Sequence, residues 1–346
     1  MPNRRSSAVP GRGGGRDDGP SPEGAYEGTT SRPSHGSPYS DLQGEATIMD
    51  LAGLPWELPH TFLGLDEEAS AFETSRALIL PVPYESTTSF GGGTRSGPQA
   101  ILEASRYIEL WDQELETDPS VAGIHTFPAL ELTREGAGPA MRELEKAYGA
   151  ILDAAAGRFP LMLGGEHSIS APAIRAVAAR QDARLHVLQM DAHADLRSSY
   201  EGTPDSHASA MWRVLDVADV VGVGIRGISR EEVEVAEATP GVTLLYADRM
   251  WDDDGWMDSA LEALGDPVYI TFDVDFFDPS LVPSTGTPEP GGGDWYRTLR
   301  FLRRVFQERT VLACDVVELA PVPGLPAPDF LVAKLVYKLL GYRFAP

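Results

Sequence analysis

From residue 76 onward, short apolar runs alternate with longer segments in which apolar residues recur at helical spacing. The runs are ALILPVPY (77–84), PLMLGG (160–165), LHVLQMD (185–191), VVGVGIR (220–226), VTLLYA (242–247), VYITFDVD (268–275) and VLACDVVEL (311–319). Their apolarity is continuous rather than alternating, as in strands covered on both faces. Between them, GPAMRELEKAYGAILDAAAG (138–157) and WYRTLRFLRRVFQER (295–309) repeat apolar positions every three or four residues and predict helices. Together they predict an α/β protein with a mostly parallel sheet. No repeat of solenoid type interrupts the alternation.

Ligands of such sheets lie beyond the carboxyl ends of the strands, and four of the runs end on unusual polar residues. Glu166, His167 and Ser168 follow LMLGG; Asp191 follows LHVLQM; Asp273 and Asp275 follow VYITF; Glu318 follows LACDVV. QMDAHADLR (189–197) sets Asp191, His193 and Asp195 at every second position, so an extended chain aims all three the same way. Carboxylates so placed repel each other unless a cation sits among them. His167, Asp191, His193, Asp195, Asp273 and Asp275 supply four carboxylates and two imidazoles at one sheet edge. That mixture suits Mn2+ or a similar first-row ion, and the surplus of carboxylates points to a bridged pair.

Other motifs carry less. DVDFFDPS is no calcium loop, because Asp278 and Ser284 stand where an EF-hand needs Gly and Glu. SFGGGTRSG (89–97) lacks the Gly-Lys-Ser/Thr of a phosphate loop and reads as a flexible loop near the site. Ser168 lies outside any Gly-x-Ser-x-Gly turn and reads as structural.

Composition narrows the partners. A net charge of −24 over 346 residues opposes binding to nucleic acid or an anionic membrane. Only Lys146, Lys334 and Lys338 are lysines, and so acidic and lysine-poor a surface is compatible with a cell interior of high salt. Cys314 is the single cysteine, which rules out an intrachain disulfide and fits a reducing compartment. No apolar run reaches the roughly 20 residues of a membrane span, and the N-terminus lacks the apolar core of a secretory signal, so a cytoplasmic protein is expected. Residues 1–45 are rich in Gly, Pro, Ser and Arg and predict a disordered tail, with Met49 as an alternative start.

The segments GGEHS (164–168), DAHADLR (191–197), SHAS (206–209), FDVDFFDPS (272–280), GTPEPGG (286–292) and DVVELAP (315–321) follow one another in a recognisable order. With VPYESTTSFGGGTRSGPQAILEAS (82–105) and AKLVYKLLGY (333–342), they make residues 76–343 resemble the ureohydrolase family, the arginase and agmatinase enzymes. The resemblance implies a single three-layer α/β domain over residues 46–346 with the arginase fold. It implies two Mn2+ per subunit, one held by His167, Asp191, Asp195 and Asp273, the other by Asp191, His193, Asp273 and Asp275. Between two dications a water loses its proton near neutral pH, and the hydroxide attacks the guanidinium carbon. The resemblance further implies that Asp195 orients the hydroxide, that Glu318 holds the guanidinium and that His207 carries a proton to the leaving amine.

Where arginases carry Asn, two residues beyond the last Asp of DAHAD, this chain has Arg197. The pattern therefore resembles agmatinases, which cleave agmatine to putrescine and urea in polyamine biosynthesis. Guanidinobutyrase or another amidinohydrolase shares the same metal motifs, and a non-catalytic, metal-stabilised relative is the remote alternative. The implied partners are a small cationic guanidino substrate and further copies of the chain in a trimer or hexamer.

Overall fold

The computed structural model describes residues 57–251 and 253–344. The expectations for the tail at 1–45, for Met49 and for a domain beginning at 46 lie outside the described residues.

Eight strands form one sheet: β1 (Ala77–Val82), β2 (Ile124–Thr126), β3 (Phe159–Gly164), β4 (Leu185–Met190), β5 (Ala218–Ile225), β6 (Val242–Tyr246), β7 (Val268–Asp273) and β8 (Val311–Val317). Their spatial order is β2-β1-β3-β8-β7-β4-β5-β6, and every pairing is parallel. Every residue of β1, β3 and β7 is buried, which is why their sequences are continuously apolar. Each predicted run became a strand. The short edge strand β2, sequence IHT, was not foreseen; its backbone pairs with Ala77–Ile79, while its side chains carry no strand pattern.

The helices are α1 (Gly97–Ser105), α2 (Ala137–Ala155), α3 (Ser170–Ala178), α4 (Arg230–Ala238), α5 (Gly255–Ala263), α6 (Trp295–Glu308) and α7 (Ala327–Phe344). They cover both faces. Ile79, Leu161, Leu163, Ile270 and Phe272 pack with residues of α1, α5, α6 and α7. Their neighbours Leu80, Met162 and Tyr269 point the other way, to a core shared with α2 and α3. The period-two alternation of the strands thus splits one apolar run between two cores. Among the described residues no helix is long and apolar enough to cross a membrane; α7, apolar on most sides, is buried in the protein.

Strands β3, β8, β7 and β4 are consecutive neighbours in the middle of the sheet. Their carboxyl ends deliver His167, Glu318, Asp273 and Asp191 to one edge.

Candidate active site

The six predicted ligand residues converge. His167 Nδ1 lies 3.0 Å from Asp195 Oδ2, 3.1 Å from Asp191 Oδ2 and 3.4 Å from Asp273 Oδ2. On the other side of Asp191, His193 Nδ1 is 2.9 Å from Asp275 Oδ2 and 3.7 Å from Asp191 Oδ1. Two groups able to hold a metal ion result, His167–Asp191–Asp273 and Asp191–His193–Asp275, and Asp191 belongs to both. Asp273 joins only the first group, and its Oδ1 accepts the Asp275 N–H at 2.8 Å.

Neighbouring groups orient these side chains. Thr271 Oγ1 donates to Asp315 Oδ1 at 2.6 Å, so it accepts from His167 Nε2 at 2.9 Å. The ring proton is therefore on Nε2, and Nδ1 presents a lone pair. That buried Nδ1 has no hydrogen-bond partner, yet it faces three carboxylate oxygens. A lone pair turned toward carboxylates is stable only with a cation between them, so the residues fit a metal. Gln189 Nε2 donates to Asp191 Oδ2 at 2.8 Å, and Arg226 Nη2 holds the Asp275 carbonyl at 2.6 Å.

The protonation equilibria record the same conflict. Burial and the charges of Asp275 and Asp195 push Asp191 up to about 7. Burial, with Asp275 and Asp191, raises Asp273 well above the carboxylate range. For His193 burial acts downward, but Asp275 and Asp191 outweigh it and raise the ring to about 11. His167 is likewise raised, its burial overcome by Asp191, Asp195 and Asp273.

Two candidate residues sit on strained backbone. Asp195 (φ 51°) and Glu318 (φ 66°) occupy the left-handed region, which costs a non-glycine residue about 1 kcal/mol or more. Hydrogen bonds hold both in place: the Asp195 carbonyl accepts from Met211 and Trp212, and the Glu318 N–H donates to the Gly165 carbonyl. Gly165 itself must be glycine, since a Cβ there would lie 1.8 Å from the Tyr84 carbonyl. Its absence lets the loop after β3 pass against the loop after β1. Glu318 is buried, which drives its pKa well up, although Oε1 accepts the His167 N–H at 2.6 Å.

A cavity of about 430 Å³ opens over the cluster and is lined by His167, His193, Asp195, Asp273, Asp275 and Glu318. His207 stands in its wall on the short 3₁₀ turn His207–Ser209. Ser89, Phe90 and Gly91 of the glycine-rich loop form part of the rim, and Glu85 ties that loop down through Gly93, Thr94 and Arg95. Arg197 also reaches the cavity. Its charge is met there by Glu232 at 3.6 Å and by the Tyr200 ring at 5.1 Å. Glu289 adds a further carboxylate to the wall. Ser168 lies apart from the reacting groups, its hydroxyl donated to Glu166.

Of the residues overlooked in the sequence, Glu232 and Glu289 line the cavity, while Thr87, Thr271 and Gln189 lie behind it against His207, His167 and Asp191, and Asp315 acts through Thr271. Asp315, a charge inside an apolar strand, was a signal that went unread. Thr87, Thr271 and Gln189 carried none.

Comparison with known proteins agrees with this geometry. Residues 75–341 match the Arginase family. An N(1)-aminopropylagmatine ureohydrolase of Synechocystis sp. is 38% identical over 290 residues, 82% of this chain and 94% of the relative. An agmatinase of Pyrococcus horikoshii is 31% identical over 82% of this chain and 98% of its own. The solved agmatine ureohydrolase of Thermoplasma volcanium superposes with a TM-score of 0.73 at 26% identity, covering 85% of this chain and 97% of the other. With the fold, the acidic strand ends and these relatives in agreement, the chain belongs to the arginase family and is a ureohydrolase acting on guanidino C–N bonds.

Proposed function

We propose that this protein is a manganese amidinohydrolase releasing urea from a guanidino compound whose far end is cationic, with agmatine, cleaved to putrescine, as its substrate. The observation that carries the reading is the buried His167 Nδ1 facing the oxygens of Asp191, Asp195 and Asp273. His167, Asp191, His193, Asp195, Asp273 and Asp275 would hold a pair of divalent ions. Such ions supply a nucleophilic hydroxide near neutral pH and stabilise negative charge developing in the transition state. A mixed imidazole and carboxylate set favours manganese over softer metals.

The chain's own groups do the rest. Glu318, raised on a strained backbone at the cavity floor, anchors the guanidinium and fixes its orientation. Asp195 accepts a hydrogen bond from the attacking nucleophile and directs it. His207 delivers a proton to the departing nitrogen. Glu289 makes the outer wall acidic, which favours a substrate ending in ammonium and opposes one ending in carboxylate. Arg197 is paired with Glu232 and so does not offset Glu289. The same wall supports a second reading, in which N1-aminopropylagmatine, named for the Synechocystis relative, is preferred for its additional amine. The buried Cys314 fits a cytoplasmic setting.

The test is urea release after chelation and reloading with Mn2+, across agmatine, N1-aminopropylagmatine, arginine and 4-guanidinobutyrate. One of the first two should lead in kcat/KM. Arginine should trail by roughly 30- to 1,000-fold, the cost of about 2 to 4 kcal/mol for a carboxylate without partners. Comparable values for arginine, or a preference for 4-guanidinobutyrate, would overturn the reading.

A further inference from the structure

One buried carboxylate near the cavity has no part in the chemistry above. Glu166 is fully buried and accepts four hydrogen bonds. Its Oε2 takes the N–H groups of Ser86 (2.6 Å) and Thr87 (2.7 Å), and its Oε1 takes the hydroxyls of Thr87 (2.7 Å) and Ser168 (2.7 Å). Backbone N–H groups can only donate, so Oε2 is committed as an acceptor, and the short hydroxyl bonds are those expected of a carboxylate.

This arrangement reaches His207. The Thr87 hydroxyl has one proton, and Glu166 receives it. Its oxygen then offers lone pairs alone, and His207 approaches it twice, with the backbone N–H at 3.0 Å and ring Nδ1 at 3.2 Å. An oxygen without a spare proton bonds Nδ1 only if that nitrogen carries hydrogen. Ser206 Oγ, 3.3 Å from the same nitrogen, can accept or donate and so sets no direction; the Thr87 oxygen, which can only accept, decides it. Nε2 is left as the ring nitrogen without a hydrogen-bond partner among the described residues, on a ring that lines the cavity.

We propose that Glu166, acting through the Thr87 hydroxyl, holds His207 as the Nδ1–H tautomer, so that Nε2 is the atom exchanging protons with the reacting amine. The inference rests on reading His207 as the proton carrier. When the C–N bond breaks, the departing nitrogen keeps the electron pair and takes a proton from Nε2 of the imidazolium. A neutral ring with hydrogen on Nδ1 remains. The proton is the one shed by the water consumed in hydrolysis, so atoms and charge balance. Glu166 and Thr87 are positioning residues, since neither touches the substrate.

Four variants of the full-length manganese-loaded protein test this, with whichever of agmatine and N1-aminopropylagmatine is turned over faster. Thr87→Val removes the hydroxyl at nearly constant volume. Glu166→Gln goes further: the two backbone N–H groups keep an oxygen at the Oε2 position, placing the amide nitrogen beside Thr87. That nitrogen donates to the hydroxyl, whose own proton then turns toward Nδ1 and favours the opposite tautomer. Both variants should lower kcat by about 10- to 100-fold while KM stays within about threefold. Thr87→Ser, which keeps the hydroxyl, should recover kcat to within about threefold of the parent. Bound manganese per subunit and melting temperature are measured for each, and should be unchanged in Thr87→Val.

His207→Ala separates the two levels. Full turnover in that variant would overturn the proton-carrier reading itself. Loss of turnover in His207→Ala with normal turnover in Thr87→Val would overturn the tautomer proposal and leave that reading intact. If Glu166→Gln loses metal, Thr87→Val still decides, because it leaves Glu166 and its bonds to Ser86 and Ser168 in place.

Discussion

Two buried clusters of charge among the described residues are built on opposite principles. Beside α7, Lys338 Nζ lies 2.8 and 2.9 Å from the two oxygens of Asp112 and 2.6 Å from Glu114 Oε2. Tyr342 and Arg303 complete the shell of Glu114. Burial acts to raise Asp112, but Lys338 outweighs it and holds the carboxyl below its ordinary value. At the sheet edge Asp191 is equally buried but is pushed up to about 7, because its neighbours Asp275 and Asp195 add to the burial. Buried charge that balances itself is architecture. Buried charge that does not balance is a request for a ligand, and the surrounding fold supplies the stability needed to maintain it.

That contrast breaks most sharply under substitution. Asp191→Ala removes a group shared by both metal-holding clusters, and urea release should fall by about 1,000-fold or more together with bound metal per subunit. Retained turnover would place the chemistry elsewhere. Lys338→Met should do the reverse: kcat unchanged, but stability in denaturant titration lower by about 3 to 5 kcal/mol, because Asp112 is left buried and unpaired. A silent Lys338→Met would show that the pair contributes little.

Acidity distinguishes the clusters next. The folded pKa of Asp191 lies above its ordinary value, so its contribution is favourable at low pH and is lost as pH rises through about 7. Raised values at His167 and His193 act in the same direction. Metal-stripped protein should therefore melt higher at about pH 6 than at about pH 8. Asp112, whose value is lowered, titrates below that window and adds no slope. With manganese bound the slope should invert, since protons compete with metal for the same atoms. Equal slopes with and without metal would separate the cluster from metal binding.

The smallest effect lies at the cavity mouth. Glu289→Gln should raise KM for the cationic substrate by about threefold to tenfold with kcat unchanged, the scale of a partly exposed ion pair near 1 kcal/mol. An unchanged KM would remove Glu289 from substrate recognition.

Much of this was legible in the chain. The spacing in DAHAD announced three side chains that converge, although the strand ends at Met190 and Asp195 turns left-handed, so the segment is not the extended run expected; the continuous apolarity of VYITF announced a strand buried on both faces. Local periodicity and composition decide such features, so reading the chain residue by residue recovers them. The strand β2 was illegible because its three residues owe their conformation to backbone pairing with β1. Thr87 and Thr271 were illegible for a related reason: a threonine hydroxyl acquires its role only when a carboxylate takes its proton, and those carboxylates lie 79 and 44 positions away in the chain.

The sequence by itself determined which residues could bind metal and which segments would be strands, because both follow from residue type and short-range spacing. Only the tertiary structure decided that β3, β8, β7 and β4 are neighbours, which places His167 against aspartates far from it in the chain. Only the structure decided the direction of each proton, on Nε2 of His167 and on Nδ1 of His207. The physical reason is that strand order and hydrogen-bond polarity are set by contacts between segments distant in sequence, on which local pattern has no purchase.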